Sequence, residues 1–156
     1  MQDKLFEQPL IDYITVAVEY CKTLESCQGQ DRKDFVEVMR KLLPMMYLKF
    51  SLLPEYEEYP GFNEPHVTEE DYDFIRYNIA KTMGEQDDFL DVFVEDFKYS
   101  DQPVLCTLSE NLSDIYQCQR DFIEIVRGGH DEALRVSLYE LQEQFRCSWG
   151  MKCLNS

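Results

Sequence analysis

His66 and His130 are the two histidines of the chain, and a di-iron site in a helical bundle would need each to follow a glutamate by three residues on an inward face. Neither does, since His66 follows Glu64-Pro65 and His130 follows Gly128-Gly129. The six cysteines, at positions 21, 27, 106, 118, 147 and 153, contain no C-x-x-C and no zinc-ligand spacing. Cys21 and Cys27 point about 240° apart around a helix, as do Cys147 and Cys153, so neither pair converges. The run Glu85-Gln86-Asp87-Asp88-Phe89-Leu90-Asp91 lacks the alternating oxygen ligands and central glycine of a calcium loop. No Gly-x-Ser-x-Gly occurs, and the adjacent glycines 128 and 129 lead into His130-Asp131 rather than a phosphate cradle. These residue types predict no catalytic group, no metal and no cofactor.

Two polar residues fall where apolar ones are expected. Gln119 lies near the centre of a helical stripe formed by Leu112, Ile115, Phe122 and Val126, so its amide needs partners or costs a few kcal/mol. Lys49 points between Leu42, Met46 and Leu53 if the helical phase survives Pro44, and pairing with an acid such as Glu25 would satisfy it. Both are read as buried polar groups that fix helix register, with a ligand pocket as the alternative. Asp114 projects away from the Gln119 stripe and is expected to cap, to pair with a base or to face a neighbour. Tyr116 and Trp149 are expected to pack, with their polar atoms satisfied at the core boundary.

The acids are unevenly placed. The chain carries 31 Asp and Glu against 15 Lys and Arg, a formal charge of −16, and residues 55–101 alone hold 15 acids and 3 bases. That balance, with a pI near 4.4, opposes direct binding to a phosphate backbone. The concentration marks an acidic face, for which Glu55, Glu57, Glu58, Glu69, Glu70, Asp73, Asp87, Asp88 and Asp91 are the candidates. Tyr56 and Tyr59 alternate with the first three acids, and Tyr72, Tyr77 and Phe62 lie among the others. A solvated surface is one reading; aromatics ringed by charge favour docking of a basic protein.

Such a face must be held by a folded frame, and the chain is long and apolar enough to build one. At 156 residues with 44% hydrophobic and 13% aromatic content, one domain over 1–156 is expected rather than a disordered chain. Apolar residues recur with helical rather than alternating spacing, so the expected fold class is all-α. Pro9 opens a first helix whose face is Leu10, Ile14, Ala17, Cys21 and Leu24, closed near Gly29. Asp31 or Asp34 caps a second, with Phe35, Met39, Leu42, Met46, Phe50 and Leu53 as its core face. Around Leu42 to Leu53 apolar residues occupy nearly every direction, implying burial on several sides, and Pro44 predicts a kink or break.

Three prolines and Gly61 make 54–66 an irregular loop, after which Thr68 and Asp71 form a capping box for a helix to about Met83. A short helix with Phe89, Phe93 and Phe97 on one stripe is expected next. Thr107 and Glu110 form a second box opening a long helix that closes at Gly128-Gly129. Asp131 caps the last helix, where Leu134, Leu138, Leu141, Phe145 and Trp149 keep the spacing and Gly150 frays the end. The expectation is a bundle of five to seven helices whose first two and last two long helices build the core, with shorter acidic helices beside it.

Several strings, in order along the chain, are similar to a bacterial family of all-helical domains of unknown function. They are Glu19-Tyr20-Cys21 with Glu25, Leu42-Leu43-Pro44 with Tyr47 and Leu53-Pro54, Asp114-Ile115-Tyr116-Gln117 preceded by Leu112-Ser113, and Phe145 with Trp149-Gly150. The resemblance implies a cytoplasmic helical domain with no assigned activity and with helix continuing beyond the Trp-Gly pair. It carries over no catalytic residue. The start of the chain shows no basic region before an apolar run, and no stretch approaches 20 apolar residues, so neither secretion nor a membrane partner is expected. The functional expectation is a non-enzymatic interaction or adaptor module for a basic protein. An immunity-type inhibitor mimicking nucleic acid and a small-ligand-binding domain are the alternatives.

Overall fold

A computed structural model of the chain describes residues 7–84, 88–91 and 104–155. It folds as a helical bundle: α1 (Gln8–Glu25), α2 (Arg32–Ser51), α3 (Glu69–Met83), a small ribbon of β1 (Asp88–Asp91) and β2 (Val104–Thr107), α4 (Leu108–Gly128), α5 (Asp131–Gln144), a π-helical turn (Phe145–Trp149) and α6 (Gly150–Asn155). The core runs through all of the helices. α1 packs against α2 and α4, α3 and α5 both pack on α4, and α6 closes the end against α2 and α4.

Residues at i, i+3, i+4 and i+7 share a helix face, and burying that face is what holds each helix in place. On α1 the buried set is Leu10, Tyr13, Val16, Ala17, Tyr20, Cys21 and Leu24. The stripe is rotated from the expected one, with Tyr13 and Tyr20 fully buried and Ile14 at the margin. Phe35, Met39, Leu42, Met46, Phe50 and Leu53 are all buried as expected. The neighbouring directions of α2 are not: Met45, Leu48 and Leu52 are 44%, 56% and 59% exposed, so this helix is buried on one side rather than several.

Pro44 neither breaks nor ends α2, which runs unbroken from Arg32 to Ser51. Pro44 and Arg40 are both exposed, on the side of α2 away from its buried face. Asp31 occupies the N-cap position without a side-chain bond. Thr68 and Asp71 form the full capping box. At the start of α4, Thr107 accepts from the Glu110 amide at 3.1 Å, but the Glu110 carboxylate takes the Thr107 hydroxyl instead of its backbone amide. His130, not Asp131, precedes α5.

The short helix expected through Phe89 is replaced at Asp88–Asp91 by an antiparallel strand, with Phe89 opposite Cys106 and Leu90 opposite Leu105. Phe93 and Phe97 lie outside the described residues. The helix continues through Gly150 into α6 rather than fraying there. Trp149, fully buried, donates from its indole nitrogen to the Leu141 carbonyl at 3.1 Å and stacks edge-on against Phe145 and Phe50.

Candidate docking face and the cavity beneath its loop

The loop between α2 and α3 has no repeating structure of its own, and side chains of the bundle hold it. Gln142 of α5 accepts from the Tyr56 amide at 2.9 Å and donates to the Pro54 carbonyl at 2.8 Å. Asn63 donates to the Ala133 carbonyl at 2.9 Å. Asp121 of α4 accepts with one carboxylate oxygen from the amides of His66 and Val67, both at 2.8 Å. A backbone so clamped is ordered before any partner arrives, which lowers the entropy lost on association.

On this frame Glu55, Glu57 and Glu58 are exposed, while Tyr56 and Tyr59 are half-buried between them. Burial pushes the Tyr56 phenol up to about 12, with the Glu7 carboxylate adding to the effect. Glu55 lies 3.5 Å from Arg146; Glu57 and Glu58 make no ion pair with a described residue. Beyond the loop, Glu69, Glu70 and Asp73 are exposed on α3 and likewise unpaired among the described residues. Asp88 and Asp91 are the end residues of β1. Asp87 lies outside the described residues.

Phe74 was not among the expected aromatics. It is 53% exposed, and Glu70, Asp73, Phe74 and Tyr77 share one outward face of α3 at i, i+3, i+4 and i+7. The spacing from Glu70 is the signal that would have found it. Lys81 sits 6.0 Å from the centre of the Tyr77 ring, at the far end of the same face.

The two polar residues expected inside behave differently. Gln119 is fully buried, and its Oε1 accepts from the Tyr13 hydroxyl, while its Nε2 finds no hydrogen bond among the described residues. Lys49 is not a buried group. Its side chain is one-third exposed and lies 4.0 Å from Asp12 of α1, because the unbroken phase of α2 carries it to the edge of the α1 contact. Glu25 instead accepts from the Tyr116 hydroxyl at 2.7 Å and faces Arg120 at 3.6 Å. Asp114 faces neighbours as expected, accepting from Tyr72 at 2.5 Å and from Lys152 at 2.9 Å. The Tyr72 phenol is held well above its ordinary range by burial first and by the Asp114 carboxylate second.

Residues 4–156 match the family described as a domain of unknown function, DUF5063. The chain belongs to the DUF5063 family. Its fold is also that of a crystal structure, protein BF1032 from Bacteroides fragilis, with a TM-score of 0.84 at 37% identity over 97% of this chain and 91% of that one. No curated protein matches the DUF5063 chain. Among its described residues, no helix is long and apolar enough to cross a membrane.

A cavity of about 350 Å³ lies between the loop and the α4–α5 pair. Phe122, Ile125 and Leu141 supply its apolar lining, and Phe62, 76% exposed, stands at its edge. Gln117, Asp121, Ser137, Glu140 and Gln144 supply polar groups. Sequence reasoning placed a possible pocket at Lys49 or Gln119, and neither lines this one. The residues come from three separate segments, so no local spacing announces them.

Proposed function

We propose that the protein is a non-enzymatic cytoplasmic docking module whose loop 55–59 and outer α3 face receive a basic protein. The observation that carries this reading is the set Glu57, Glu58, Glu69, Glu70 and Asp73, all exposed and without a described base to neutralise them, on a loop and helix clamped to the bundle. Uncompensated carboxylates raise the local concentration of a basic partner and speed its arrival. Phe74 and Tyr77 supply the apolar contact area that charge alone lacks. Cys21, Cys27, Cys118, Cys147 and Cys153 are free thiols, in keeping with a reducing compartment.

The test compares partners retained by the natural protein and by a Glu57→Gln, Glu58→Gln, Glu69→Gln, Glu70→Gln variant, at low and at moderate salt. A partner held by the former at low salt, and lost by the latter and at higher salt, is the expected result. Retention that ignores both the substitutions and the salt would defeat the proposal. Should the partner bind nucleic acid, its release by added DNA would identify the protein as an inhibitor that takes the place of phosphate.

A further inference from the structure

We infer that the cavity between the loop and the α4–α5 pair is a binding site for a small organic cation, an ammonium or guanidinium group on a short apolar stem. This inference stands whether or not the acidic face docks a protein. The first observation is chemical. Asp121, Glu140 and Glu64 bring carboxylates to the lining, Gln117, Gln144 and Asn63 bring amides, and no Lys, Arg or His is among the described lining residues. One oxygen of Asp121 is committed to the loop amides, and the other has no described partner. Glu140, Gln117 and Gln144 have no described hydrogen-bond or ion-pair partner either.

The second observation is Ser137, more than nine-tenths buried and lining the cavity, with no hydrogen-bond partner among the described residues. A serine in a helix can return its hydroxyl to the carbonyl four residues earlier, as Ser51 does to Tyr47 at 2.8 Å. Ser137 does not, and the Ala133 carbonyl takes the Asn63 amide instead. A hydroxyl without a protein partner, on a side chain more than nine-tenths buried and open to the cavity, is an available hydrogen-bonding group for a ligand.

The apolar lining sets the rest of the ligand's shape. Phe122, Ile125 and Leu141 offer a surface for a short hydrocarbon stem, and Phe62 offers an aromatic face to a cation at the mouth. No group of three or more described His, Cys, Asp or Glu side chains is arranged to hold a metal ion, so the carboxylates suit a dispersed organic charge better than a metal. Cys118 also lines the cavity, and burial pushes its thiol up to about 12, which keeps it neutral and adds no charge of its own.

The test is a titration of the isotope-labelled full chain with n-butylammonium and with agmatine, followed by amide NMR, beside 1-butanol and butyrate at matched ionic strength. A capped lysine tripeptide forms a further arm, which tells a free amine from the side chain of a protein. Saturable shifts clustered at 117, 121, 137 and 140 with a cation, and not with the alcohol or the acid, are expected. Glu140→Gln and Asp121→Asn should each weaken binding about tenfold, as expected for loss of one charge-assisted contact. Asn at 121 keeps the oxygen that holds the loop amides, so folding is preserved, and unchanged far-ultraviolet circular dichroism checks this. Shifts from neither the amines nor the tripeptide at millimolar concentration, or equal shifts from 1-butanol, or affinities unmoved in both variants, would each overturn the inference.

Discussion

Tyr13 and Gln119, 106 positions apart in the chain, meet in the core of the bundle, where the Tyr13 hydroxyl donates to the Gln119 side-chain carbonyl. Both side chains are fully buried, and burial holds the Tyr13 phenol well above its ordinary range. The bond fixes the register of α1 against α4 together with two others between the same helices, Tyr20 donating to the Leu112 carbonyl at 2.7 Å and Tyr116 donating to Glu25 at 2.7 Å. Removing one partner leaves the other orphaned in the core, so Tyr13→Phe should cost about 1–3 kcal/mol. Replacing both by apolar groups, Tyr13→Phe with Gln119→Met, also removes the orphaned Nε2 and should recover much of that loss. Urea denaturation of the two single variants and the double variant would show this as a coupling of about 0.5–3 kcal/mol. Additive losses would mean that the pair does not act as a unit.

Gln119 also marks what the sequence makes legible. Its place on the Leu112, Ile115 and Phe122 stripe follows from the 3.6-residue period, which any helix buried along one face must obey. The Thr68–Asp71 box was readable for a similar reason, because both bonds form within four residues. Non-local choices were hidden. Phe89 is spaced from Phe93 as a helix would have it, yet Asp88–Asp91 pairs with Val104–Thr107, a partner that no local pattern names. Periodicity likewise placed apolar residues around all of α2 but could not say that neither α1 nor α6 would cover Met45, Leu48 and Leu52. The acidic face was legible as composition, whereas the loop clamps and the cavity depend on α4 and α5 meeting residues more than 50 positions away.

The buried phenols govern stability at alkaline pH. Burial raises Tyr13, Tyr20, Tyr72 and Tyr116 well above the ordinary value, and Tyr56 up to about 12. An unfolded chain releases these protons near pH ~10, while the folded chain keeps them. Their contribution is therefore fully present below pH ~10 and is lost as pH rises through the folded values. The urea midpoint should show no loss from these groups between neutral pH and about 9.5, then fall steeply. Absorbance of tyrosinate should show exposed phenols titrating first and the buried set appearing only with unfolding. A smooth titration of every tyrosine near pH ~10 in folded protein would contradict this.

Gln142 holds the start of the loop, since one amide satisfies both the Tyr56 amide and the Pro54 carbonyl. Gln142→Leu keeps the volume and removes both bonds. The expected cost is about 1–3 kcal/mol, with faster hydrogen exchange at Tyr56 and little change in the helices distant from the loop. Gln142→Glu keeps the acceptor for Tyr56 and loses the donor to Pro54, so the Tyr56 amide should stay protected. Unchanged exchange at Tyr56 in the leucine variant would show that the loop is held by other means.

Gly150 and Gly128 respond oppositely to the same substitution. At Gly150 a Cβ would stand 2.6 Å from the Phe145 carbonyl oxygen and 3.0 Å from two atoms of the Phe145 ring. The π-helical turn brings that carbonyl inward, and the ring is itself wedged against Phe50 and Trp149 at 4.7 Å from each. Backbone and ring would both have to move. Because the 2.6 Å approach is to a backbone atom, the cost belongs to the upper part of the range of about 1–3 kcal/mol for overpacking, above the roughly 1 kcal/mol that alanine gains over glycine in a helix. At Gly128 the nearest atom is the His130 ring at 3.8 Å, an ordinary contact, and the residue is the last of α4. Gly128→Ala should therefore be neutral or stabilise by up to about 1 kcal/mol through the unfolded chain, while Gly150→Ala lowers the urea midpoint and weakens the near-ultraviolet circular dichroism of Trp149. A Gly150→Ala protein as stable as the natural one, with the tryptophan signal intact, would show that Trp149 can keep its place without the π-helical turn.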